Sequence, residues 1–306
     1  AEHLRNYRDV IAWTHDQTIR YMNKGYVRDQ IAALVGEMPP HLRAYETTGI
    51  EGYGSVAHAV PQIYTWYLGY NRGEVTDFDP APYDRRQRGY VQAMGGPERV
   101  IAQAQQSMDD GDNRWAIELL GYVVRSDPSN MEARRLDAEA HRREGLTKAN
   151  ATWRNWYLTA AAELEGHVPV DAGAATRDVL VGLPLGSIVA GLPVRLRAEQ
   201  TWYVEQRLAL TVGGREAGAF TLHLRRGVLE VVAGAAEDVD ATLAFADKEA
   251  LADYLAGTPS VTLAEAGRLA ITGDADAAAR FATYFDEPPS MGRILVTLHG
   301  PAPTAD

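Results

Sequence analysis

Two periodicities divide this chain. In the first half apolar residues recur every three to four positions, the spacing of one helix face. Leu4, Val10, Ile11, Thr14, Ile19 and Met22 predict a helix over 2–23, ended by Gly25. A short helix follows at 27–35, and Pro39-Pro40 opens a brief turn. Residues 61–70 read as an aromatic helix stopped at 71–73, and 74–82 (EVTDFDPAP) as a loop. Helices at 83–94 and 97–108 flank Gly95-Gly96, with Pro97 where a proline suits the first helical turn. In the second half the period falls to two. Strands are predicted over 201–212, 217–224, 228–232 and 240–246, with Gly213-Gly214 as a hairpin signal. A helix at 248–255 closes at Gly257, a short apolar stretch covers 263–270, a second helix spans 275–285, and a last strand lies at 293–298. Hairpin-linked strands followed by helices give an α+β layer behind an all-helical half, divided near residues 166–173.

Residues 113–145 have a sharper signature. Two helices are joined by Asp127-Pro128-Ser129-Asn130, and an Ala116/Leu119/Leu120/Val123 stripe faces Ala133/Leu136/Ala140. This resembles one tetratricopeptide hairpin, which cannot bury its own face and has to stack on neighbouring helices. The arginine pairs Arg85-Arg86, Arg134-Arg135 and Arg142-Arg143 read as solvated faces.

Composition sharpens the division. Of the 306 residues, five of six Trp and 12 of 15 Tyr lie in 1–167. That half carries 19 basic and 23 acidic residues, and the remainder carries 11 and 18. The total charge of −11 argues against a broad nucleic-acid footprint. No apolar run reaches the ~18 residues of a membrane span. With no cysteine, disulfides, thiolate nucleophiles and Cys-ligated metals are excluded, and the compartment stays open. The chain opens on Ala1 within an amphipathic pattern, as part of something longer would.

Four stretches, HDQTIRYMNKGY (15–26), GYGSVAHAV with YTWYLGY (52–60, 64–70), YVQAMGG (90–96) and WRNWYL (153–158), resemble in order and spacing the C-terminal part of the metallo-β-lactamase-type alkylsulfatases. Residues 174–299, through WYVEQRLALTV, RRGVLEVVAG, DATLAF and GRLAITGDADAAARFATYF, resemble the sterol-carrier-protein-like domain that ends those enzymes. The resemblance implies a helical dimerisation domain over 1–167 and a sterol-carrier-protein-like domain over 174–306. It implies a homodimer, an alkyl sulfate or other amphiphile as ligand, and two zinc ions in the complete enzyme. The clustered HxHxDH zinc motif of the family does not occur, and none of the eight histidines forms an i,i+2 or i,i+4 pair with another. The metallo-β-lactamase-like catalytic domain would therefore precede Ala1, and this chain alone would hold no metal and be inactive.

Within the resemblance, His58 matches the histidine that helps hold the sulfate, and Tyr70 is the nearest match for a sulfate-contacting tyrosine, with Tyr64 and Tyr67 as competitors. Pro61 disfavours helix at Val60, so the helix is predicted to begin at Pro61 with His58 on a Gly/Ser entry loop. Free amides at the helix start would suit an anion, and a protonated imidazole would add a charge-assisted bond. The bland alternatives are a capping or core histidine and packing tyrosines. His15 with Asp16 reads as a local pair, and Asn150-Ala151-Thr152 matches a glycosylation triplet. The second half could enclose an apolar tunnel for an alkyl chain or form a filled core. A stand-alone lipid carrier or helical adaptor is the rival function.

Overall fold

The computed structural model describes residues 2–43, 51–167 and 177–286. They form two compact units, one helical and one mixed.

The helical unit opens with α1 (Glu2–Met22), α2 (Arg28–Gly36), α3 (Pro40–Arg43) and α4 (Val56–Leu68). Val56, Val60 and Tyr64 recur at i, i+4 and i+8 on α4 and pack with Ile31 and Val35 of α2 and Val10 of α1. On α1 the inward face keeps Val10 and Thr14 of the predicted stripe but not its other aliphatic members. Leu4 and Ile11 are exposed, and the buried stripe is Asn6, Val10, Thr14 and Thr18. The Thr14 and Thr18 hydroxyls donate to the carbonyls of Val10 (2.7 Å) and Thr14 (2.5 Å), which removes the penalty for burying them.

Next come α5 (Tyr83–Ala93), α6 (Pro97–Asp109), α7 (Asn113–Ser126), α8 (Met131–Leu146) and α9 (Ala151–Leu164). The α7–α8 hairpin is present as predicted. Asp112 and Asn130 cap its helices by accepting from the amides of Trp115 (3.2 Å) and Ala133 (2.9 Å). Its apolar stripes are covered from α6 by Val100 and Ala104 and from α9 by Ala161 and Leu164. One of the arginine pairs departs from its expected solvated face. Arg134 is fully buried, donating from Nε to the Leu164 carbonyl (3.1 Å) and from Nη2 to that of Glu163 (3.4 Å). These are the last carbonyls of α9, where the helix's own amides run out, and the one of Glu163 also accepts from the Gly166 amide at 3.0 Å.

The mixed unit contains α10 (Arg177–Gly182), α11 (Leu185–Ala190), β1 (Glu205–Val212), β2 (Gly218–Arg225), β3 (Val228–Ala233), β4 (Ala241–Phe245), α12 (Lys248–Leu255), α13 (Ser260–Glu265), β5 (Leu269–Gly273) and α14 (Ala275–Ala282). The sheet order is β3-β2-β1-β4-β5. All neighbours are antiparallel except β1 and β4, which run parallel, so hairpins alone do not build it. A parallel pair needs a long crossover, and β2 with β3 supplies it. At the β2–β3 turn Arg226 (φ 50°) and Gly227 (φ 86°) both take positive φ, the signature of a tight hairpin turn. Three expectations need correction. Residues 201–204 precede β1 as turn rather than strand, and the 263–270 stretch splits into the end of α13 and the start of β5. α14 stops at Ala282, short of the predicted 285. The predicted strand at 293–298 lies outside the described residues. Leu208, Leu210 and Val212 alternate onto the sheet face that packs with Ile188, Val189, Leu251 and Phe281.

Candidate functional site

His58 lies in the first turn of α4, not on an entry loop. Ser55 is the cap, its hydroxyl accepting from the His58 amide at 3.2 Å, so the helix begins at Val56 and runs through Pro61. Proline at this position removes one backbone bond, to Ala57. The buried Val56/Val60/Tyr64 stripe, which straddles Pro61, holds the turn helical.

A second helix start adjoins it. Asn150 caps α9 by accepting from the Trp153 amide at 3.0 Å. Its Nδ2 donates to the carbonyls of Glu51 (2.5 Å) and Gly54 (2.8 Å), and the Ala151 amide donates to Gly52 (3.3 Å). The Asn150 side chain is thus buried and fully engaged, so its triplet marks a structural clamp rather than an exposed acceptor. The clamp brings His58 and Trp153, each the third residue of its helix, into contact. The Trp153 indole N–H donates to His58 Nδ1, and the ring centroids stand 4.3 Å apart. Trp153 had no role assigned from sequence beyond its place in WRNWYL, since nothing local links positions 95 residues apart.

His58, His141, Trp153, Trp156 and Tyr157 line a cleft of about 660 Å³. Burial pushes the His58 imidazole below its ordinary pKa, which favours the neutral ring over the cation. The amides of Val56, His58, Ala151 and Trp153 are already taken by protein acceptors, Val56 by Glu51 Oε1 at 2.5 Å.

Across the cleft, His141 is buried and its Nδ1 lies 2.9 Å from both the carbonyl and a carboxylate oxygen of Asp137. Burial by itself lowers this imidazole's pKa, but the Asp137 contacts outweigh it and the net shift is upward. A raised value means that the folded state binds the proton more tightly. The resulting stability is complete below the ordinary histidine value of about 6.5 and is lost as pH rises through the raised one. The advantage of the wild type over His141→Asn in urea midpoint is expected to shrink between pH 5.5 and pH 8.5; an advantage that grows would refute it.

Tyr70 is not in this cleft. It lies beyond the end of α4, exposed, with its ring edge-on to Phe78 at 6.4 Å. Twelve residues separate it from His58, about 18 Å at helical rise. Of its competitors, Tyr64 is core, and the Tyr67 hydroxyl is 3.0 Å from His15 Nε2, so the His15–Asp16 pair is also tied to α4.

The mixed unit holds a second cavity, of about 380 Å³. Leu210, Leu222, Leu243, Leu251 and Phe281 form its apolar wall. Leu255 and Tyr254 complete one side, and burial raises the Tyr254 pKa, keeping the phenol protonated. The volume falls within the roughly 300–1,000 Å³ usual for small-molecule sites. The two zinc ions implied by the resemblance do not fit here: among the described residues no three His, Asp or Glu side chains gather to hold a metal. Among those residues, too, no helix is long and apolar enough to cross a membrane.

Comparison with known proteins agrees with this anatomy. Residues 27–167 match a family model described as alkyl sulfatase dimerisation, and residues 173–294 one described as alkyl sulfatase C-terminal. A linear primary-alkylsulfatase of a Pseudomonas species is 37% identical over 85% of this chain and 51% of its own length. The alkyl/aryl-sulfatase BDS1 of Saccharomyces cerevisiae is 31% identical over 79% of this chain and 37% of its own. The solved structure of the stereoselective inverting sec-alkylsulfatase Pisa1 from a Pseudomonas species superposes with a TM-score of 0.81 at 29% identity. It covers 93% of this chain and 45% of that one. The chain spans about half the length, or less, of the curated relatives it matches.

Proposed function

This chain belongs to the alkylsulfatase family, carrying its dimerisation and C-terminal domains, and from that premise we propose that it serves the binding side of alkyl sulfate ester hydrolysis. In this reading residues 1–167 form the homodimer contact and contribute His58 to the sulfate pocket. Residues 174–306 take up the alkyl tail. The metal-bearing hydrolase, with its two zinc ions, belongs to a metallo-β-lactamase-like domain outside this chain. The observation that carries the reading is the tandem match of both family domains, in order, to two units that each hold a cavity.

Elementary chemistry supports the assignment of parts. An alkyl sulfate has an apolar tail and an anionic head. Each CH₂ taken from water into the apolar cavity contributes ~0.8 kcal/mol. The head needs hydrogen-bond donors, and the other cleft offers imidazole and indole nitrogens. Tyr70 enters only as a weaker candidate, since its own protomer keeps it far from His58. For the homodimer, exposed Trp66, Leu68, Tyr70 and Phe78 cluster around the C-terminal end of α4, a density of large apolar groups typical of interface anchors.

The test uses the purified chain. Sedimentation at tens of micromolar is expected to give a dimer, and titration with a fluorescent long-chain fatty acid to give saturable binding. Incubation with dodecyl sulfate is expected to release no sulfate. A monomer that binds no amphiphile, or a chain that cleaves the ester unaided, would contradict the proposal.

A further inference from the structure

The cleft between the starts of α4 and α9 contains a hydrogen bond whose direction is fixed by chemistry. An indole N–H donates and never accepts. The His58 Nδ1 that receives it must therefore present a lone pair, and in a neutral imidazole the proton then resides on Nε2. The surrounding geometry holds the two rings in this contact. The rings meet edge to face at 72°, and Asn150 fixes both partners by capping α9 while clamping the 51–54 loop that leads into α4. Lys148, paired with Glu144, stands 5.8 Å from the Trp153 ring centroid, within cation–π range.

We propose that Trp153 is a positioning residue: it selects the Nε2–H tautomer of His58 and so leaves that N–H as the donor offered to a sulfate ester oxygen in the cleft. The inference rests on the reading of His58 as an ester-binding group and adds to it a discrimination mechanism. An alkyl sulfate carries one negative charge, and the inorganic sulfate released from it carries two. A cationic imidazolium would favour the more highly charged product. A neutral N–H donor holds the ester through a directional bond with a weaker bias of that kind. The depressed pKa of His58 agrees with a ring that stays neutral.

The experiment is heteronuclear NMR on the chain labelled with ¹⁵N at histidine and tryptophan. Loss of signals in His58→Gln assigns the His58 ring. In the wild type at pH 7.5, His58 is expected as a single tautomer, protonated at Nε2, with a scalar coupling across the bond between the Trp153 and His58 nitrogens. Trp153→Phe keeps an aromatic ring but removes the N–H. The coupling should vanish and His58 should become a mixture of tautomers. Trp156→Phe, in the same cleft, should leave both signatures intact, which separates positioning from general packing. Octyl sulfate below its micelle concentration should shift the Nε2–H resonance. Its affinity should fall roughly three- to tenfold in Trp153→Phe, the scale of one net hydrogen bond.

A wild-type ring protonated at Nδ1, or a pure Nε2–H tautomer surviving in Trp153→Phe, would overturn the positioning role. A correct tautomer signature with no response to octyl sulfate would instead overturn the ester-binding reading of His58. The two failures are therefore distinguishable.

Discussion

Replacing Arg134 with alanine is expected to lower the unfolding free energy of the helical unit by about 3–5 kcal/mol. Arg134 is among the largest side chains with no exposure to solvent, and its guanidinium reaches the Leu164 and Glu163 carbonyls where α9 ends. A cation there also opposes the partial negative charge of the helix terminus. Alanine would remove those donors, leave a cavity between α8 and α9, and take away the positive charge that Asp137 faces in the interior. Burial depresses the Arg134 pKa, and the Asp137 charge works against that shift. Urea unfolding followed by tryptophan fluorescence reports this unit selectively, because five of the six tryptophans lie in 1–167. Arg134→Lys keeps the charge without the planar fork and should fall between the two. A loss under about 1 kcal/mol in Arg134→Ala would mean that water satisfies those carbonyls and the buried cation is dispensable.

The second large effect concerns the apolar cavity. Leu255→Trp should weaken long-chain fatty acid binding about a hundredfold. Leu255 is half-buried at the end of α12 and lines the cavity, so a larger ring there can occupy ligand space without being forced into the Leu251/Leu243 core. Excluding three or four CH₂ groups, at ~0.8 kcal/mol each, removes about 2.4–3.2 kcal/mol, close to two factors of ten. Fluorescent fatty acid titration measures the affinity, and thermal unfolding checks that the core is intact. Unchanged affinity in a folded Leu255→Trp chain would place the ligand elsewhere, or show that the cavity is not a site.

The comparison of sequence with structure turns on a few residues. Pro61 carries a true local preference, and α4 nevertheless runs through it. Three buried apolar contacts on one face outweigh one lost backbone bond, and no window of neighbouring residues reveals those contacts. β5 is five residues long and pairs with β4 across α12 and α13, so its partner, rather than its own pattern, makes it a strand. Arg134-Arg135 looks like a solvated pair, but the helical period sends its members to different faces, one of them inward onto a helix end 30 residues away. The candidate site was legible in part. A motif pointed to His58, and other stretches held Trp153 and Asn150, but nothing local shows that the three meet in one cleft.

The sequence by itself determined the division into a helical and a mixed half, the α7–α8 hairpin and most strands. Periodicity, capping residues and turn residues act over a few neighbouring positions, which is why these elements were legible, and the stretches that resemble the family are local too. The tertiary structure decided which polar side chains enter the interior, which side chain meets His58, and why Tyr70 stands apart from it. Those outcomes depend on hydrogen-bond partners and burial supplied by segments far away in the chain, and a distant partner leaves no mark on local spacing.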